Sequence, residues 1–127
     1  MSIATFPLQH SADDLLVINI HGLNATKTQS FKEQILSTTT LLKNHVGPII
    51  FAGDFNTRNK KRTQFLKSFM RHYGLREVHW DKDYRMKFAN YPLDHVFVKK
   101  LHIKKSVVRN DIDTSDHKAL EVHLALE

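Results

Sequence analysis

Two apolar runs in this chain each end in polar residues, and this pattern constrains the fold more strongly than any other feature. The first run spans residues 15–20 and ends at His21, and the second spans residues 49–52 and ends at residues 53–56. Short, continuous apolar runs are typical of strands that are buried on both faces of a sheet. Apolar side chains at helical spacing over residues 30–44 lie between them, so the sequence predicts a strand, a helix and a strand in that order.

The rest of the chain predicts a second helix and four more strands. Apolar side chains recur at helical spacing over residues 60–72, and Gly74 follows where helices often end in a left-handed residue. The remaining strands are predicted at residues 76–80, 93–98, 101–109 and 119–126. We expect residues 101–109 to pair with the strand before them in a hairpin. Ser30 and Glu33 are predicted to form a capping box at the start of the first helix.

These elements predict one mixed α/β (α+β) domain. The chain has 127 residues, which is long enough for a single core. We expect a mostly antiparallel mixed sheet with helices on one face, formed by residues 15–127. An N-terminal arm that could contain a strand is predicted over residues 1–14.

Composition narrows the class of protein. The sequence contains no cysteine, which excludes a disulfide scaffold, a thiol nucleophile and a cysteine-ligated zinc site. No apolar run has the length of a transmembrane helix, and the N-terminus lacks the pattern of a signal peptide, so we expect a cytoplasmic protein. The formal net charge of +6 predicts attraction to polyanions, either nucleic acid or an anionic membrane surface.

The positive charge is concentrated in residues 58–87, which hold ten basic and three acidic side chains. Arg58, Lys60 and Lys61 directly follow the polar end of the second strand, and they are the candidate substrate-binding cations. Such a cluster is also typical of a solvated helix face, and the sequence leaves both interpretations open.

Polar clusters at four strand ends supply the residue types that phosphate-ester hydrolysis needs. They are Asn19 with His21, Asp54 with Asn56, Asp94 with His95, and Ser115 and Asp116 with His117. A carboxylate can orient or deprotonate a water molecule, an amide can hold a phosphate oxygen, and a histidine can stabilise developing charge. Carboxylate oxygens also suit Mg²⁺. Taken singly, each cluster is more often a turn, a cap or a surface histidine, and an all-histidine zinc site is disfavoured because no His-x-x-x-His pair occurs.

The order of these clusters resembles that of the endonuclease/exonuclease/phosphatase family, to which pancreatic deoxyribonuclease and the abasic-site endonucleases belong. The motifs that carry the resemblance are Asn19-x-His21, Gly53-Asp54-Phe55-Asn56, Leu93-Asp94 and Ser115-Asp116-His117. The stretch from Gly47-Pro48 to Leu93-Asp94 looks most like the bacterial YafD-like branch. The resemblance implies the C-terminal half of a four-layer αββα sandwich, in which each half supplies one sheet.

By this resemblance, five residues would carry the reaction. Asp54 would orient or deprotonate the attacking water, and Asn56 would bind a phosphate oxygen and help to hold Asp54. His117 would contact the scissile phosphate and be oriented by Asp94. Asp116 would sit at a metal site that binds Mg²⁺ or Mn²⁺.

The resemblance implies two further site residues and one missing ligand. His21 would be the second histidine of the site, and Asn19 would lie beside it at the substrate. His95 is assigned no role. The first half of the family domain brings a glutamate that is the main metal ligand, and this sequence contains no match to it.

The resemblance therefore implies a Mg²⁺-dependent phosphodiester hydrolase that is weakly active or inactive without the missing N-terminal half. Nucleic acid is the first expected substrate and a phospholipid headgroup the second. The inner face of the sheet is expected to bind either the missing half or a second copy of the chain. Two alternatives stay open: a non-catalytic module that binds polyanions through residues 58–87, and a phospholipid or phosphoinositide phosphatase.

Overall fold

Twelve helices and strands make up the described part of the chain. The computed structural model describes residues 1–21, 27–111 and 116–127. The helices are α1 (Thr28–Leu36), α2 (Thr39–Asn44) and α3 (Lys60–His72). The strands are β1 (Ser2–Phe6), β2 (Leu15–His21), β3 (Ile49–Asp54), β4 (Arg76–Glu77), β5 (Lys87–Phe88), β6 (Tyr91–Pro92), β7 (Asp94–Lys99), β8 (Leu101–Arg109) and β9 (Ala119–Leu126).

The largest sheet has five strands in the order β1-β2-β3-β7-β4. β2 and β3 run parallel and the other neighbouring pairs are antiparallel, so the mixed α+β fold class is confirmed. A parallel pair needs a crossover, and α1 and α2 lie in the connection between β2 and β3. Leu16, Ile18 and Ile20 of β2 are all buried, as expected for an apolar run inside a sheet.

One face of this sheet packs against the helices. Leu66 and Met70 of α3 belong to the same core cluster as Ile18 of β2 and Phe51 of β3, and none of the four is accessible to solvent. Burying a side chain of this size stabilises the fold by about 1.5–3 kcal/mol. The core therefore fixes α3 against the strands that carry the polar clusters.

The predicted bounds of the second helix are confirmed. The side chain of Asn59 accepts a hydrogen bond from the backbone N–H of Arg62 at 2.9 Å, which caps the start of α3. Gly74 follows the end of α3 with a φ of 78°, in the left-handed region that glycine adopts without strain.

The single helix predicted over residues 30–44 is instead two helices, α1 and α2. They separate at Ser37 and Thr38, where the Thr38 hydroxyl donates to the carbonyl of Ile35 at 2.7 Å and competes with the helical backbone. The predicted capping box is also wrong, because α1 begins at Thr28 and Ser30 lies inside it.

The other face of the five-stranded sheet is partly covered by a ribbon formed by β8 and β9. These strands pair along their length, from Leu101 with Leu126 to Arg109 with Ala119. Leu120, Val122 and Leu124 of β9 pack on a cluster that contains Val96 and Val98 of β7. The chain thus provides one sheet and part of an opposing layer, which corrects the expectation that it supplies one sheet only.

The predicted hairpin between residues 93–98 and 101–109 is wrong. β7 pairs with β3 along one edge and with β4 along the other, so neither edge is open to β8. Lys100 adopts a φ of 58°, and the chain leaves the sheet there. β8 then pairs with β9 instead.

The ends of the sheet differ from the sequence prediction in two smaller ways. The strand predicted over residues 76–80 is limited to β4. Residues 2–6 of the predicted arm form β1, which pairs antiparallel with β2. Within the described ranges, no helix combines the length and apolar character needed to span a membrane.

Candidate active site

The candidate site lies where the polar ends of three neighbouring strands meet. His21, the last residue of β2, is opposite Asp54, the last residue of β3, because these two strands run parallel. β7 runs the other way, so its first residue, Asp94, is opposite Asp54 on the other side. The pairing therefore brings together three side chains that are 33, 40 and 73 positions apart in the sequence.

A cavity of about 470 Å³ opens at this point. Its polar lining consists of Asn19, His21, Asp54, Asp94, His117 and Lys118. Ala52, Gly53, Val96 and Leu120 provide the apolar part of the lining. A concave site with a few convergent polar groups is the usual form of a ligand or substrate site.

The turn that follows β3 fixes the position of Asp54. A carboxylate oxygen of Asp54 accepts a hydrogen bond from the backbone N–H of Asn56 at 2.9 Å. The backbone N–H of Phe55 donates to the carbonyl of Leu93 at 2.9 Å, which ties the turn to the residue before β7. The ring of Phe55 is buried against Phe97, with ring centroids 5.8 Å apart. The turn is therefore held by its own hydrogen bonds and by the core.

His117 lies between the two carboxylates. Its Nδ1 is 2.7 Å from Oδ2 of Asp94, and its Nε2 is 3.7 Å from Oδ2 of Asp54. The hydrogen bond that Nδ1 of His117 donates to the Asp94 carboxylate is the main cause that raises the pKa of His117 above its ordinary value. Burial raises the pKa of Asp94, and the nearby charge of Asp54 adds to that effect. Asp94 thus orients the imidazole and favours its protonated form.

The same three residues form the only group of potential metal ligands found within the described ranges. One ligand atom from each of Asp54, Asp94 and His117 lies within 4.8 Å of the other two. Mg²⁺ and Mn²⁺ prefer oxygen ligands and need one or two carboxylates from the protein, so the two aspartates fit such an ion. Asp116 is exposed and does not belong to this group, and its metal role stays a prediction.

Most predicted catalytic residues come together, and the predicted cations do not. Asn19 and His21 share the cavity with the two aspartates and His117. Asn56 is almost fully buried, and its backbone is what contacts Asp54. The three predicted cations lie at the turn or in the first turn of α3 and are absent from the described cavity lining: Arg58, Lys60 and Lys61. Ser115 of the last motif lies outside the described residues.

Two basic residues near the site were missed by sequence reasoning. Lys118 lines the cavity, and its position directly after His117 is the signal that could have identified it. Arg85 donates to the backbone carbonyl of Asp94 at 2.9 Å and forms a two-point ion pair with Asp83. The ion pair with Asp83 is local in sequence, whereas the contact with the carbonyl of Asp94 depends on the fold and has no sequence signal.

Comparisons with known proteins identify the family and the fold of the chain. A family model described as the endonuclease/exonuclease/phosphatase family matches residues 4–117. A UPF0294 protein of Vibrio parahaemolyticus is 41% identical over 118 residues, which are 91% of this chain and 42% of that protein. A UPF0294 protein of Photorhabdus laumondii is 35% identical over 123 residues, which are 96% of this chain and 47% of that protein.

Two solved structures share the fold. An endonuclease/exonuclease/phosphatase family protein from Bacteroides thetaiotaomicron has a TM-score of 0.68 and 19% identity, and the match covers 94% of this chain and 52% of that one. The human Nocturnin catalytic domain with bound sulfate anion has a TM-score of 0.62 and 16% identity, over 97% of this chain and 51% of that one. This chain therefore spans less than half of the two curated relatives and about half of these structures. Because the family model matches most of its length, the chain belongs to the endonuclease/exonuclease/phosphatase family.

Proposed function

We propose that this chain provides catalytic residues of a metal-assisted phosphodiester hydrolase. The observation that carries the proposal is the position of His117 between Asp94, at 2.7 Å, and Asp54, at 3.7 Å, at the wall of an open cavity. A carboxylate beside an oriented, protonated imidazole can serve a reaction in which water attacks and negative charge develops on phosphate oxygens.

Each group of the site has a separate part in the proposed reaction. Asp54 orients the attacking water or accepts its proton through Oδ2, the carboxylate oxygen that is not bonded to the backbone N–H of Asn56. As the water oxygen bonds to phosphorus, the P–O bond to the leaving oxygen breaks, and that oxygen takes a proton from solvent. His117 donates a hydrogen bond to a phosphate oxygen as its charge increases, and Asp94 keeps the imidazole ring in place. Mg²⁺ or Mn²⁺, bound by the carboxylates, would neutralise charge on the phosphate. His21 and Asn19 are proposed to contact the substrate from the neighbouring strand β2.

A nucleic acid is the proposed substrate, because cationic side chains follow the turn that carries Asp54 along the chain and Lys118 lines the cavity. α3 contains no acidic residue, and its first turn begins with Lys60 and Lys61, both exposed. Cations at a helix N-terminus oppose the helix dipole, so they do not stabilise α3 and are better explained by an anionic ligand. A phospholipid headgroup would meet the same phosphate chemistry, and a substrate panel separates the two.

The activity of this chain alone is proposed to be weak. The chain spans 42% of its Vibrio parahaemolyticus relative, so a longer protein can bring further metal ligands to the site. The face of the five-stranded sheet beside the β8–β9 ribbon is open to an additional part of such a protein, since Phe6 of β1 remains 49% exposed. We propose that this open face binds either the additional part found in the relatives or a second copy of the chain.

A polyanion-binding module without catalysis is the second candidate, and the acid-free surface of α3 favours it. The two candidates differ in which residues matter. A double substitution Lys60→Gln and Lys61→Gln should weaken oligonucleotide binding and its salt dependence in both cases. Substitution of Asp54 or His117 should lower the rate of hydrolysis if the protein is a hydrolase and should have no effect on binding if it is a binding module.

The deciding experiment measures hydrolysis of a short oligonucleotide and of glycerophosphoinositol with Mg²⁺. The variants are Asp54→Asn and His117→Gln, and His102→Gln on the exposed side of β8 is the matched control. We expect slow oligonucleotide cleavage that falls by at least about 100-fold in the two site variants and is unchanged in the control. Cleavage of glycerophosphoinositol alone would favour a phospholipid headgroup over nucleic acid as the phosphodiester substrate. Oligonucleotide binding with equal background rates in all variants would favour the binding module.

A further inference from the structure

We propose that Thr57, His95 and Glu77 form a buried hydrogen-bonded network that positions the turn carrying Asp54. The hydroxyl of Thr57 is 2.8 Å from Nε2 of His95, and Nδ1 of His95 is 2.5 Å from a carboxylate oxygen of Glu77. Thr57 is fully buried and His95 is 2% exposed, so neither can contact a substrate directly. The inference rests on the proposed function, because positioning matters only if Asp54 acts.

The network joins three parts of the fold. Thr57 belongs to the turn after β3, His95 to β7 and Glu77 to β4. The Thr57 hydroxyl also lies 2.7 Å from the carbonyl of Pro92, to which it donates its single hydrogen. His95 thus contacts an oxygen atom through each of its ring nitrogens, Thr57 through Nε2 and Glu77 through Nδ1.

A purely structural core would not need these polar groups. His95 is packed among aromatic rings, with its centroid 5.9 Å from that of Phe55 and 5.8 Å from that of Phe97. An apolar aromatic ring would fill this place without the cost of removing an imidazole and a carboxylate from water. The polar pair therefore indicates that the orientation of these side chains matters, because hydrogen bonds fix an orientation and apolar contacts do not.

The turn itself needs such support. Asn56, which donates its backbone N–H to Asp54, has a φ of 52° and so lies in the left-handed region, which asparagine tolerates better than other non-glycine residues but still at a cost. A conformation of this kind persists when surrounding contacts hold it. Thr57 is the next residue, and its hydroxyl is fixed on two sides. The network is therefore placed where it can hold the backbone that orients the Asp54 carboxylate.

Amide hydrogen exchange measured by NMR on this chain tests the network without any need for turnover. The reporters are the N–H groups of Phe55 and Asn56, which bond to Leu93 and Asp54 respectively. Thr57→Val removes the hydroxyl, and Thr57→Ser restores it. Thr38→Val is the matched control, because Thr38 is also a buried threonine whose hydroxyl bonds one backbone carbonyl.

We expect Thr57→Val to lower the exchange protection factors of the two reporter amides at least tenfold more than those of amides in β2. The protection factors of Thr57→Ser should be close to those of the natural chain. The control should lower protection of the reporters and of β2 by the same factor. If Thr57→Val fails to fold, His95→Phe keeps the aromatic packing and should give the same local loss. Equal losses at the reporters and in β2, or no loss, would overturn the proposal. Since exchange does not depend on hydrolysis, an inactive chain with a local loss would reject the proposed function and leave the network intact.

Discussion

Among the glycines that the structure describes, Gly53 is the one whose replacement by alanine should disrupt the site most. Gly53 has a φ of 134°, in a region that is essentially restricted to glycine, and a Cβ placed on it would lie 2.0 Å from the carbonyl oxygen of Ile20. The same Cβ would lie 2.8 Å from Oδ1 of Asn19. Backbone strain of about 1–3 kcal/mol is therefore added to a clash that only separation of β2 from β3 can relieve. We estimate a loss of at least about 3 kcal/mol of unfolding free energy, a large part of the stability of a domain this size.

Gly74→Ala provides the matched comparison. Gly74 also has a positive φ, 78°, but its added Cβ would meet only the flexible end of Lys99, at 3.4 Å. The expected loss is about 1 kcal/mol, from the left-handed backbone alone. Urea unfolding followed by the fluorescence of Trp80, the single tryptophan, measures both variants. Equal unfolding midpoints for the two alanine variants would refute the close approach of β2 and β3 at this residue.

Three further predictions concern charge and association. In the natural chain the pKa of His117 should lie above its ordinary value, so the stability that His117 contributes is complete below that ordinary value and is lost as pH rises through the folded-state pKa. Asp94→Asn should lower this pKa in an NMR titration. An unchanged pKa would contradict the assigned hydrogen bond. Arg85 lowers the pKa of Asp83, so this ion pair should stabilise the fold above the ordinary carboxyl pKa and lose that effect as pH falls through the folded-state pKa. If Asp83→Asn unfolds in acid with the same pH dependence as the natural chain, the pair does not have this effect. Phe6→Ser should weaken self-association in sedimentation experiments, and a stable monomer of the natural chain at high concentration would argue against pairing through the open face.

The sequence was informative wherever a local pattern decides the structure. α3 has its predicted bounds because its apolar side chains recur at helical spacing over residues 60–72 and Gly74 follows its end. The meeting of Asp54 and Asp94 was also predictable in outline, since polar residues at the ends of neighbouring strands share one edge of a sheet, whereas His117 reaches them from the segment before β9.

Features that depend on the whole fold were not predictable. The hairpin expected between β7 and β8 does not form because β7 pairs with β3 along one edge and with β4 along the other. The local sequence of β7 does not indicate which strands become its neighbours. The network around His95 joins residues far apart in the chain, so its partners become visible only after the strands are paired. The break at Thr38 depends on a hydroxyl that can bond either outward or to its own helix.

The central claim is that Asp54 and His117 act together on a phosphodiester. Its most direct test is the initial rate of hydrolysis of bis(p-nitrophenyl) phosphate with Mg²⁺, because the activated leaving group makes weak turnover measurable. The natural chain should show a slow, saturable rate, and Asp54→Asn and His117→Gln should each reduce it by at least about 100-fold. Because the two residues act as a unit, the double variant should be little slower than either single variant. A rate that is the same in the natural chain and in both single variants would contradict the claim.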